Sequence, residues 1–255
     1  MHWLSRFAAG LFVMALPVLL VTSNVRFLAG EVRLYERGFR EHDSAARTGL
    51  PVAELDRAAR QIIAYFEDDS KTLRIIVNDN GEEVSLFNAR ETRHMEDVKS
   101  LMRFVFRLNE ASLAYVITYV AAVFLWAGSG SVRRLAWLAL GGIGVGVVVV
   151  GVIGGFALVG FDETWTRFHE LVFTNDLWRL NPRTDRLIQM FPERFWEEST
   201  LILGIMTLAE AAVIVLGALA CLVFIRPRTF AAPPATPAAD NQPLQVRPRR
   251  TSVVE

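Results

Sequence analysis

The sequence predicts an α-helical integral membrane protein with four transmembrane helices and an outer α/β subdomain that contains a small β-hairpin. Among its 255 residues, 52% are hydrophobic, and the apolar residues are concentrated in four long runs. A helix needs about 20 mainly apolar residues to cross the hydrocarbon core of a bilayer. The runs extend over residues 7–25, 113–128, 135–159 and 201–225, and the second run is the shortest.

The polar segments between these runs divide the chain into six parts. In chain order these are transmembrane helix 1 (1–28), an outer domain (29–110), transmembrane helices 2 and 3 (111–160), an outer aromatic-rich loop (161–200), transmembrane helix 4 (201–226) and a disordered cytoplasmic tail (227–255). The tail is assigned from its Ala, Pro and Thr content and its few aromatic residues. We expect the first run to be retained rather than cleaved as a signal peptide, because Thr22-Ser23-Asn24 is a poor cleavage site.

Basic residues beside the short connections indicate the orientation. Arg6 precedes the first run, Arg133 and Arg134 separate the second run from the third, and Arg226 and Arg228 follow the fourth. Lys and Arg residues in short loops are retained in the cytoplasm. Both termini are therefore expected in the cytoplasm, with the outer domain and the aromatic-rich loop on the opposite face.

The outer domain is predicted to contain two helical segments and a hairpin. Apolar residues recur at helical spacing over residues 51–68, which is typical of an amphipathic helix. Residues 72–77 and 83–87 are rich in strand formers, and the sequence NDNG at 78–81 between them has a hairpin-turn composition. From Ala89 the helical pattern returns and continues almost without a break into the second apolar run.

Two further features concern packing in the membrane. The third run contains Gly142 with Gly146 and Gly151 with Gly155, a spacing that lets another helix approach closely. Helix packing is the simpler account of these glycines, and housing a lipid chain is the alternative. The loop 161–200 is dense in aromatic residues, which prefer the headgroup level, so we expect it to lie along the membrane surface.

The two outer segments concentrate groups suited to acid–base chemistry, and each contains one histidine. Histidine is the side chain whose pKa best suits proton transfer near neutral pH. His94 and His169 are the catalytic candidates, although a single histidine on a partly apolar face is more often a hydrogen-bonded interface residue. The residues that we assign to substrate binding are Asn88, Arg90, Glu91, Asp97, Lys99, Asp162, Asn175, Trp178 and Glu210.

Glu210 and Cys221 are two notable residues inside the fourth apolar run. Glu210 either forms a hydrogen bond to another helix, for example at Tyr115 or Tyr119, or provides a polar wall of the substrate cavity. Cys221 is the only cysteine and lies near the cytoplasmic end of the run. It therefore offers neither an intramolecular disulfide nor an outer thiol nucleophile.

Several other kinds of chemistry lack support in the sequence. The net charge of +0 gives no indication of a nucleic-acid partner. The sequence HELVF from His169 begins like a helical zinc-protease motif, but Phe173 stands where the second histidine would be. No Gly-x-Ser-x-Gly elbow, phosphate loop or dinucleotide fingerprint occurs, and we expect no metal and no organic cofactor.

Both outer segments resemble the signatures of a known family. The sequence FNARETRHMEDVK at 87–99 is similar to the first signature of the lipoprotein intramolecular transacylase family. Residues of the second outer segment resemble the second signature of the same family. They are GFD at 160–162, FH at 168–169, FTNDLW at 173–178 and FPE at 191–193, together with Pro182, Asp185, Leu187 and Ile188. The resemblance covers both outer segments and the four-helix plan.

The resemblance implies an acyltransferase of the bacterial cell membrane. Its substrate would be a diacylated lipoprotein, in which the sn-2 acyl chain of the diacylglyceryl-cysteine moves to the α-amino group and leaves an N-acyl lyso-lipoprotein. His94 and His169 correspond to the essential histidines of that family. We further expect contact with membrane lipid and a monomeric state.

The residues suit this chemistry without a covalent intermediate. An α-amino group has an unperturbed pKa of about 8, so a base such as histidine must take its proton before attack. Arg90, Lys99 and Asn175 are candidates to stabilise the oxyanion. The alternative is a non-enzymatic membrane module that binds a lipid or protein partner, in which the histidines only hold the loops together. Convergence of the two histidines to within about one water-bridged distance in a lipid-facing cavity would favour the enzyme, and wide separation would favour the binding module.

Overall fold

The structure, a computed structural model, describes residues 2–79, 81–126 and 129–225. Its elements in chain order are α1 (His2–Gly30), α2 (Val32–Glu41), α3 (Ser44–Thr48), α4 (Val52–Glu67), β1 (Ile76–Asp79), β2 (Glu82–Ser85), α5 (Ala89–Trp126), α6 (Ser129–Val159), α7 (Phe161–Val172), α8 (Arg186–Met190) and α9 (Glu193–Phe224). The predicted disordered tail at 227–255 lies outside the described residues.

Four of the helices, α1, α5, α6 and α9, are long and apolar enough to cross a membrane. Most residues along these spans are not buried within the protein, which suits helices surrounded by hydrocarbon. The predicted fold class, an α-helical membrane protein with four transmembrane helices and a small antiparallel sheet, is therefore confirmed.

Helix α1 is central in the membrane part, because it packs against α5, α6 and α9. Phe12 and Leu16 of α1 form a buried cluster with Ile143 of α6 and Ala211 of α9. The Phe12 ring also stacks on Tyr119 of α5 at a centroid distance of 4.8 Å. Lipid tails are as apolar as the side chains, so the hydrophobic effect does not drive membrane helices together. Close side-chain packing of this kind stabilises their association instead.

The glycines of α6 pack differently along the helix. A Cβ atom on Gly142 would lie 2.9 Å from a carbonyl oxygen of α1, and one on Gly146 would lie 2.8 Å from the Cβ atom of Pro17. The close approach predicted for this pair therefore occurs, against α1. A Cβ atom on Gly151 or Gly155 would meet nothing within 4 Å among the described residues, so the second pair makes no such helix contact.

Helix α5 connects the outer domain to the membrane part as one helix of 38 residues. Because an α-helix rises 1.5 Å per residue and the hydrocarbon core is about 30 Å thick, α5 is longer than a perpendicular crossing requires. Its polar N-terminal turns therefore extend outside the membrane. The predicted continuation from the outer segment into the second apolar run is observed without a break.

The outer domain is held together by one apolar core. The core receives side chains from α2, α4, the hairpin, the first turns of α5, α8 and the first turns of α9. Its most deeply buried members include Phe39, Leu55, Ile62, Tyr65 and Met190. The amphipathic helix predicted at 51–68 corresponds to α4, whose apolar side faces this core.

The predicted β-hairpin is present, but its two strands lie closer to the turn than the sequence predicts. Strand β1 pairs antiparallel with β2, so that Ile76 lies opposite Ser85 and Asp79 lies opposite Glu82. Gly81 has a φ of +96°, a conformation that glycine adopts without steric cost in a tight turn. Each strand has four residues, and both are shorter than the sequence predicts.

Helices α2 and α3 have no counterpart in the sequence analysis. Helix α2 presents Tyr35, Gly38 and Phe39 to the core, and a Cβ atom on Gly38 would lie 2.5 Å from the ring of Phe195 in α9. At the start of α3, Ser44 donates a hydrogen bond to the backbone carbonyl of α8 residue 190 at 2.9 Å. Contacts with distant parts of the chain stabilise both helices, and local sequence periodicity does not report such contacts.

Helix α7 begins one residue after α6 ends, so it lies at the outer end of the membrane part. The side chain of Leu171 is 88% exposed and that of Phe168 is 39% exposed. Exposed apolar side chains on an amphipathic helix suit an interfacial position at the bilayer. Helix α9 starts at Glu193 directly after Pro192, and proline is favoured at a helix start because its missing N–H costs no helical hydrogen bond there.

Replacing Gly146 with alanine should destabilise the fold. The new methyl group would lie 2.8 Å from the Pro17 side chain, and overpacking of this kind costs about 1–3 kcal/mol. Thermal unfolding in detergent should show a lower midpoint. The matched control is Gly151→Ala, where the methyl group meets nothing within 4 Å and alanine favours the helix. Equal unfolding midpoints for the two variants would contradict this account of the α1–α6 contact.

Candidate active site

His94 and His169 lie on two different helices that face the same cavity. His94 is in the second turn of α5, and His169 is near the end of α7. The cavity has a volume of about 390 Å³ and is bounded by α1, α2, α4, α5, α7, α8 and α9. Its walls are mainly aliphatic and aromatic, and its other polar side chains are Tyr35, Ser199 and Thr200. We call this cavity the histidine chamber.

The two imidazole rings converge within the histidine chamber. Their centroids are 6.2 Å apart, and the ring planes make an angle of 35°. Both side chains are buried, with exposed fractions of 6% for His94 and 8% for His169. The Phe173 ring lies against both, at centroid distances of 5.3 Å and 5.6 Å. The histidines thus have the convergent arrangement that favours an enzyme over a simple binding module.

His169 is held in one orientation by its own helix. Its Nδ1 atom lies 2.8 Å from the backbone carbonyl oxygen of Trp165. A carbonyl oxygen can only accept a hydrogen bond, so Nδ1 carries the proton and Nε2 keeps its lone pair. Burial lowers the pKa of His169, partly opposed by the hydrogen bond to Trp165. The neutral form with a basic Nε2 is therefore favoured at neutral pH.

His94 carries a nitrogen whose hydrogen-bonding capacity is unused within the described part of the chain. Its Nδ1 atom is buried and has no hydrogen-bond partner there. Leaving a buried polar atom unpaired costs about 1–3 kcal/mol. A water molecule or a polar group of a bound ligand can supply the missing partner.

Aromatic rings enclose His169 on several sides. The centroid of Trp165 lies 4.7 Å from that of the imidazole at 72°, and that of Trp178 lies 5.0 Å away at 34°. The guanidinium of Arg179 stacks over the Trp178 ring, 4.7 Å from the ring centroid. The sequence-predicted Trp178 therefore contacts the histidine itself. The importance of Trp165 could have been read from its i,i+4 relation to His169 on a helix.

The segment after α7 is fastened over the histidines by α5. Asn175 donates a hydrogen bond from Nδ2 to Oδ2 of Asp97 at 2.9 Å. Arg90 donates from its guanidinium to the backbone carbonyl of Asp176. Three predicted substrate-binding residues, Arg90, Asp97 and Asn175, thus hold residues 173–178 beside His94 through these hydrogen bonds.

Asn88 and Glu91 form the anchor at the start of α5. The Asn88 side-chain oxygen accepts from the Glu91 backbone N–H at 3.0 Å, and Glu91 Oε2 accepts from the Asn88 backbone N–H at 2.8 Å. This reciprocal pair satisfies two amides at the helix start. Glu91 Oε1 also accepts from the Leu187 backbone N–H at 2.6 Å, and Asn88 Nδ2 donates to Asp185 at 3.0 Å. Both predicted substrate-binding residues therefore connect α5 to α8.

The remaining predicted residues lie away from the histidine chamber. Lys99 donates from Nζ to Asp68 at 2.7 Å and to the Ser70 carbonyl at 2.6 Å, and this pairing holds the pKa of the Asp68 carboxyl down at about 2. Because its ammonium is engaged at the end of α4, Lys99 is poorly placed to stabilise an oxyanion beside the histidines. Asp162 is exposed in the first turn of α7.

Glu210 forms an interhelical hydrogen bond, but not with the predicted partners. Asn24 of α1 donates from Nδ2 to Glu210 Oε2 at 2.9 Å and to the Thr207 hydroxyl at 3.1 Å. The suggestion of Tyr115 or Tyr119 is wrong, since the Tyr115 hydroxyl instead donates to the Ala8 carbonyl at 2.7 Å. Asn24 is only 2% exposed. The side chains of Asn24, Thr207 and Glu210 therefore form a buried hydrogen-bonded contact between α1 and α9.

No candidate metal centre is found among residues 2–79, 81–126 and 129–225. Within these ranges, no three His, Cys, Asp or Glu side chains converge as metal ligands.

Comparison with known proteins gives a consistent set of matches. A family model described as lipoprotein intramolecular transacylase Lit matches residues 10–196. An uncharacterized protein of Aquifex aeolicus is 29% identical over 121 residues, which are 48% of this chain and 51% of that protein. The match thus spans about half the length of that curated relative.

Solved structures share the fold at low sequence identity. The in meso structure of the membrane-integral lipoprotein intramolecular transacylase Lit from Bacillus cereus has a TM-score of 0.74 and 14% identity, covering 88% of this chain and 98% of that chain. A histidine-to-alanine variant of that protein gives a TM-score of 0.69 at 13% identity, covering 87% and 95%.

Glu91→Ala should destabilise the protein rather than only weaken substrate binding. The substitution leaves the buried Leu187 backbone N–H without its acceptor, which costs about 1–3 kcal/mol. The unfolding midpoint in detergent should fall. The midpoint of Glu91→Gln should fall less, because glutamine keeps one acceptor oxygen. Glu67→Ala, at the exposed end of α4, serves as the control. An unchanged midpoint for Glu91→Ala together with weaker substrate binding would support the substrate-binding role instead.

Proposed function

This chain belongs to the lipoprotein intramolecular transacylase family, a family of membrane-integral acyltransferases, and we propose that its histidine chamber carries out the acyl transfer. The sn-2 acyl chain of a diacylglyceryl-cysteine lipoprotein moves to the α-amino group of the same cysteine, giving an N-acyl lyso-lipoprotein. The observation that carries the proposal is the approach of His94 and His169 to a centroid distance of 6.2 Å in an apolar cavity.

His169 acts as the general base. The substrate α-amino group is mostly protonated at neutral pH, since its unperturbed pKa is about 8, so it first releases one proton to the aqueous phase and reacts as the neutral amine. Nε2 of His169 accepts a proton as the amine nitrogen attacks the ester carbonyl and the C–N bond forms. The same imidazole then returns the proton to the glyceryl oxygen as the C–O bond breaks. The orientation imposed by the Trp165 carbonyl supports this role.

His94 stabilises the oxyanion of the tetrahedral intermediate. Its buried Nδ1 has no partner in the described residues, and as an N–H group it would donate a hydrogen bond to the developing negative charge. A donor in low-dielectric surroundings is effective in this role, because little solvent competes for the charge. His94 keeps its proton throughout, and His169 alone carries the proton that the neutral amine loses on attack to the glyceryl oxygen.

The enzyme's main contribution is to fold one molecule onto itself. Acceptor amine and donor ester belong to the same lipoprotein, so their correct orientation supplies much of the acceleration. No enzyme-bound acyl group is needed, and Cys221, the sole thiol, lies near the end of α9. The surrounding bilayer presents the diacylglyceryl group, and a single copy of the chain supplies both histidines, which supports a monomeric enzyme in contact with membrane lipid.

The proposed orientation places both termini in the cytoplasm and the histidine chamber on the outer face. Arg133 lies at the start of α6 and donates to the Ile225 carbonyl at 2.9 Å, just beyond α9. This contact brings the basic link between α5 and α6 to the end of α9, where Arg226 and Arg228 follow in sequence. Grouping of these basic residues supports a cytoplasmic assignment for that side.

The binding-module alternative is less well supported. In that alternative, the histidines hold the two outer segments together. Instead, Asn175 with Asp97 and Arg90 with Asp176 make those hydrogen bonds. Within the described residues, the one hydrogen bond of the histidines is that of His169 within its own helix. Their arrangement therefore favours chemistry over loop fastening.

His94→Ala and His169→Ala should each reduce conversion by about 10²- to 10⁴-fold, as loss of acid–base or oxyanion-stabilising groups typically does. The chain would be expressed in a bacterium lacking lipoprotein N-acyltransferase, and N-terminal lipopeptides would be analysed by mass spectrometry. The wild-type chain should leave the total mass unchanged and alter only the fragmentation, since the acyl chain moves within one molecule.

Membrane abundance of each variant is the control for this experiment. Lipopeptides that remain diacylated despite abundant wild-type protein would overturn the assignment. If both variants still convert the lipopeptide, the proposed reaction would be supported, but the two histidines would not be its catalytic residues. Addition of a third acyl chain would indicate a different, donor-dependent reaction.

The pH profile should report the lowered pKa of His169. Below about pH 8, protonation of the substrate amine should reduce the rate about tenfold per pH unit. Because burial lowers the pKa of His169, its protonation should steepen this slope only below the ordinary histidine value of about 6.5. Initial rates on a synthetic diacylglyceryl lipopeptide, with its amine titrated separately, would locate the break. A second break in the pH profile at or above pH 6.5 would exclude a His169 of lowered pKa as the general base.

A further inference from the structure

A second apolar groove lies in the membrane part, and we propose that it holds the acyl chain that is being transferred. The inference rests on the proposed function, because only a diacylated substrate has such a chain. The groove has a volume of about 370 Å³ and lies between α1, α6 and α9. It is lined by aliphatic side chains and two threonines, Thr22 and Thr207.

One wall of the groove is formed where α6 packs closely against α1. Gly142 and Gly146 allow the close contact, and Pro17 lies against the second of them. Pro17 and Gly146 both line the groove, so this close contact between α1 and α6 forms part of its wall.

The two threonines present little polarity to the groove. The Thr22 hydroxyl donates to the Val18 carbonyl at 2.7 Å and accepts from Asn109 at 3.2 Å. The Thr207 hydroxyl donates to the Leu203 carbonyl at 2.8 Å and accepts from Asn24 at 3.1 Å. Because these hydroxyls are already paired, the groove suits an alkyl chain rather than a polar headgroup.

The groove adjoins the histidine chamber on two helices. On α1, the groove residue Val21 lies one turn from the chamber residue Val25. On α9, the groove residue Thr207 lies one turn from the chamber residue Leu203. An ester held at the histidines can therefore extend its alkyl chain along α1 and α9 into the groove.

Orientation, rather than affinity, is what the groove provides. An acyl chain that moves from the bilayer into this groove gains little hydrophobic energy, since both surroundings are apolar. A chain held in one path, however, fixes the carbonyl at its end relative to His169. A small displacement of a reacting group can cost on the order of 10²-fold in rate, so the chain attached to the reacting carbonyl is the one that must be held.

Filling the groove should impair transfer of long sn-2 chains selectively. Val149 lines the groove and is 50% exposed, whereas its neighbour Val148 is 65% exposed and does not line it. In Val149→Trp, the rate with a palmitoyl group at sn-2 should fall about 10- to 100-fold. An octanoyl group at sn-2 should restore most of the rate, and shortening the sn-1 chain should not. Val148→Trp is the matched control and should behave as wild type.

The expected result is therefore a change in the ratio of rates for long and short sn-2 chains in Val149→Trp alone. An unchanged ratio, an equal change in Val148→Trp, or selectivity that follows the sn-1 chain would overturn the proposal. The wild-type rate with the palmitoyl lipopeptide tests the proposed function separately.

A second measurement decides the matter even if Val149→Trp fails to fold or the wild type does not react. A diacylglyceryl lipopeptide with a diazirine near the end of its sn-2 chain would be photo-crosslinked to the wild-type chain in bilayers. Crosslinks should concentrate on the residues that line the groove within 14–22, 143–150 and 207–211. Crosslinks spread over the lipid-facing sides of the four helices would show annular lipid only and overturn the proposal.

Discussion

Helix α5 carries His94 in its second turn and crosses the membrane with its C-terminal half, so the position of this histidine depends on the helix remaining unbroken. Its outer end is fixed by the reciprocal hydrogen bonds of Asn88 and Glu91 and by their contacts with α8. Its membrane part packs along α1. Because both ends are fixed, His94 is held at one height and faces α7, which follows the outer end of α6.

Most polar side chains near the histidine chamber are committed to the fold. Arg90, Asp97 and Asn175 fasten the segment after α7, and Lys99 is paired with Asp68. The imidazoles differ, since His94 Nδ1 has no partner among the described residues and the lone pair of His169 Nε2 is directed away from the Trp165 carbonyl by the ring geometry. Acyl transfer within one molecule needs few other groups.

The apolar surroundings serve the proposed reaction in two ways. Burial favours the neutral imidazole of His169, which is the form that accepts a proton. An apolar chamber also limits the access of water, which would otherwise compete with the amine and hydrolyse the ester. In the proposed reaction, the apolar chamber would therefore keep the amine and the ester away from bulk water.

The sequence by itself determined the elements whose signals are local. Four apolar runs predict the membrane helices, helical spacing predicts α4, and a turn composition predicts the hairpin, because each depends on residues close together in the chain. The two histidines were recognisable from their chemistry and from the family signatures around them. Their separation was not, and only the tertiary structure decided that they meet in one cavity.

The tertiary structure also decided which polar residues are structural. Helices α2 and α3, the pairing of Asn24 with Glu210, and the engagement of Lys99 at the end of α4 all join residues distant in sequence. Residue type and spacing do not specify such partners, since a carboxylate or an ammonium looks the same in a sequence whether it binds a substrate or a neighbouring helix. Packing assigns each side chain its partner, and it leaves the two imidazoles facing the chamber.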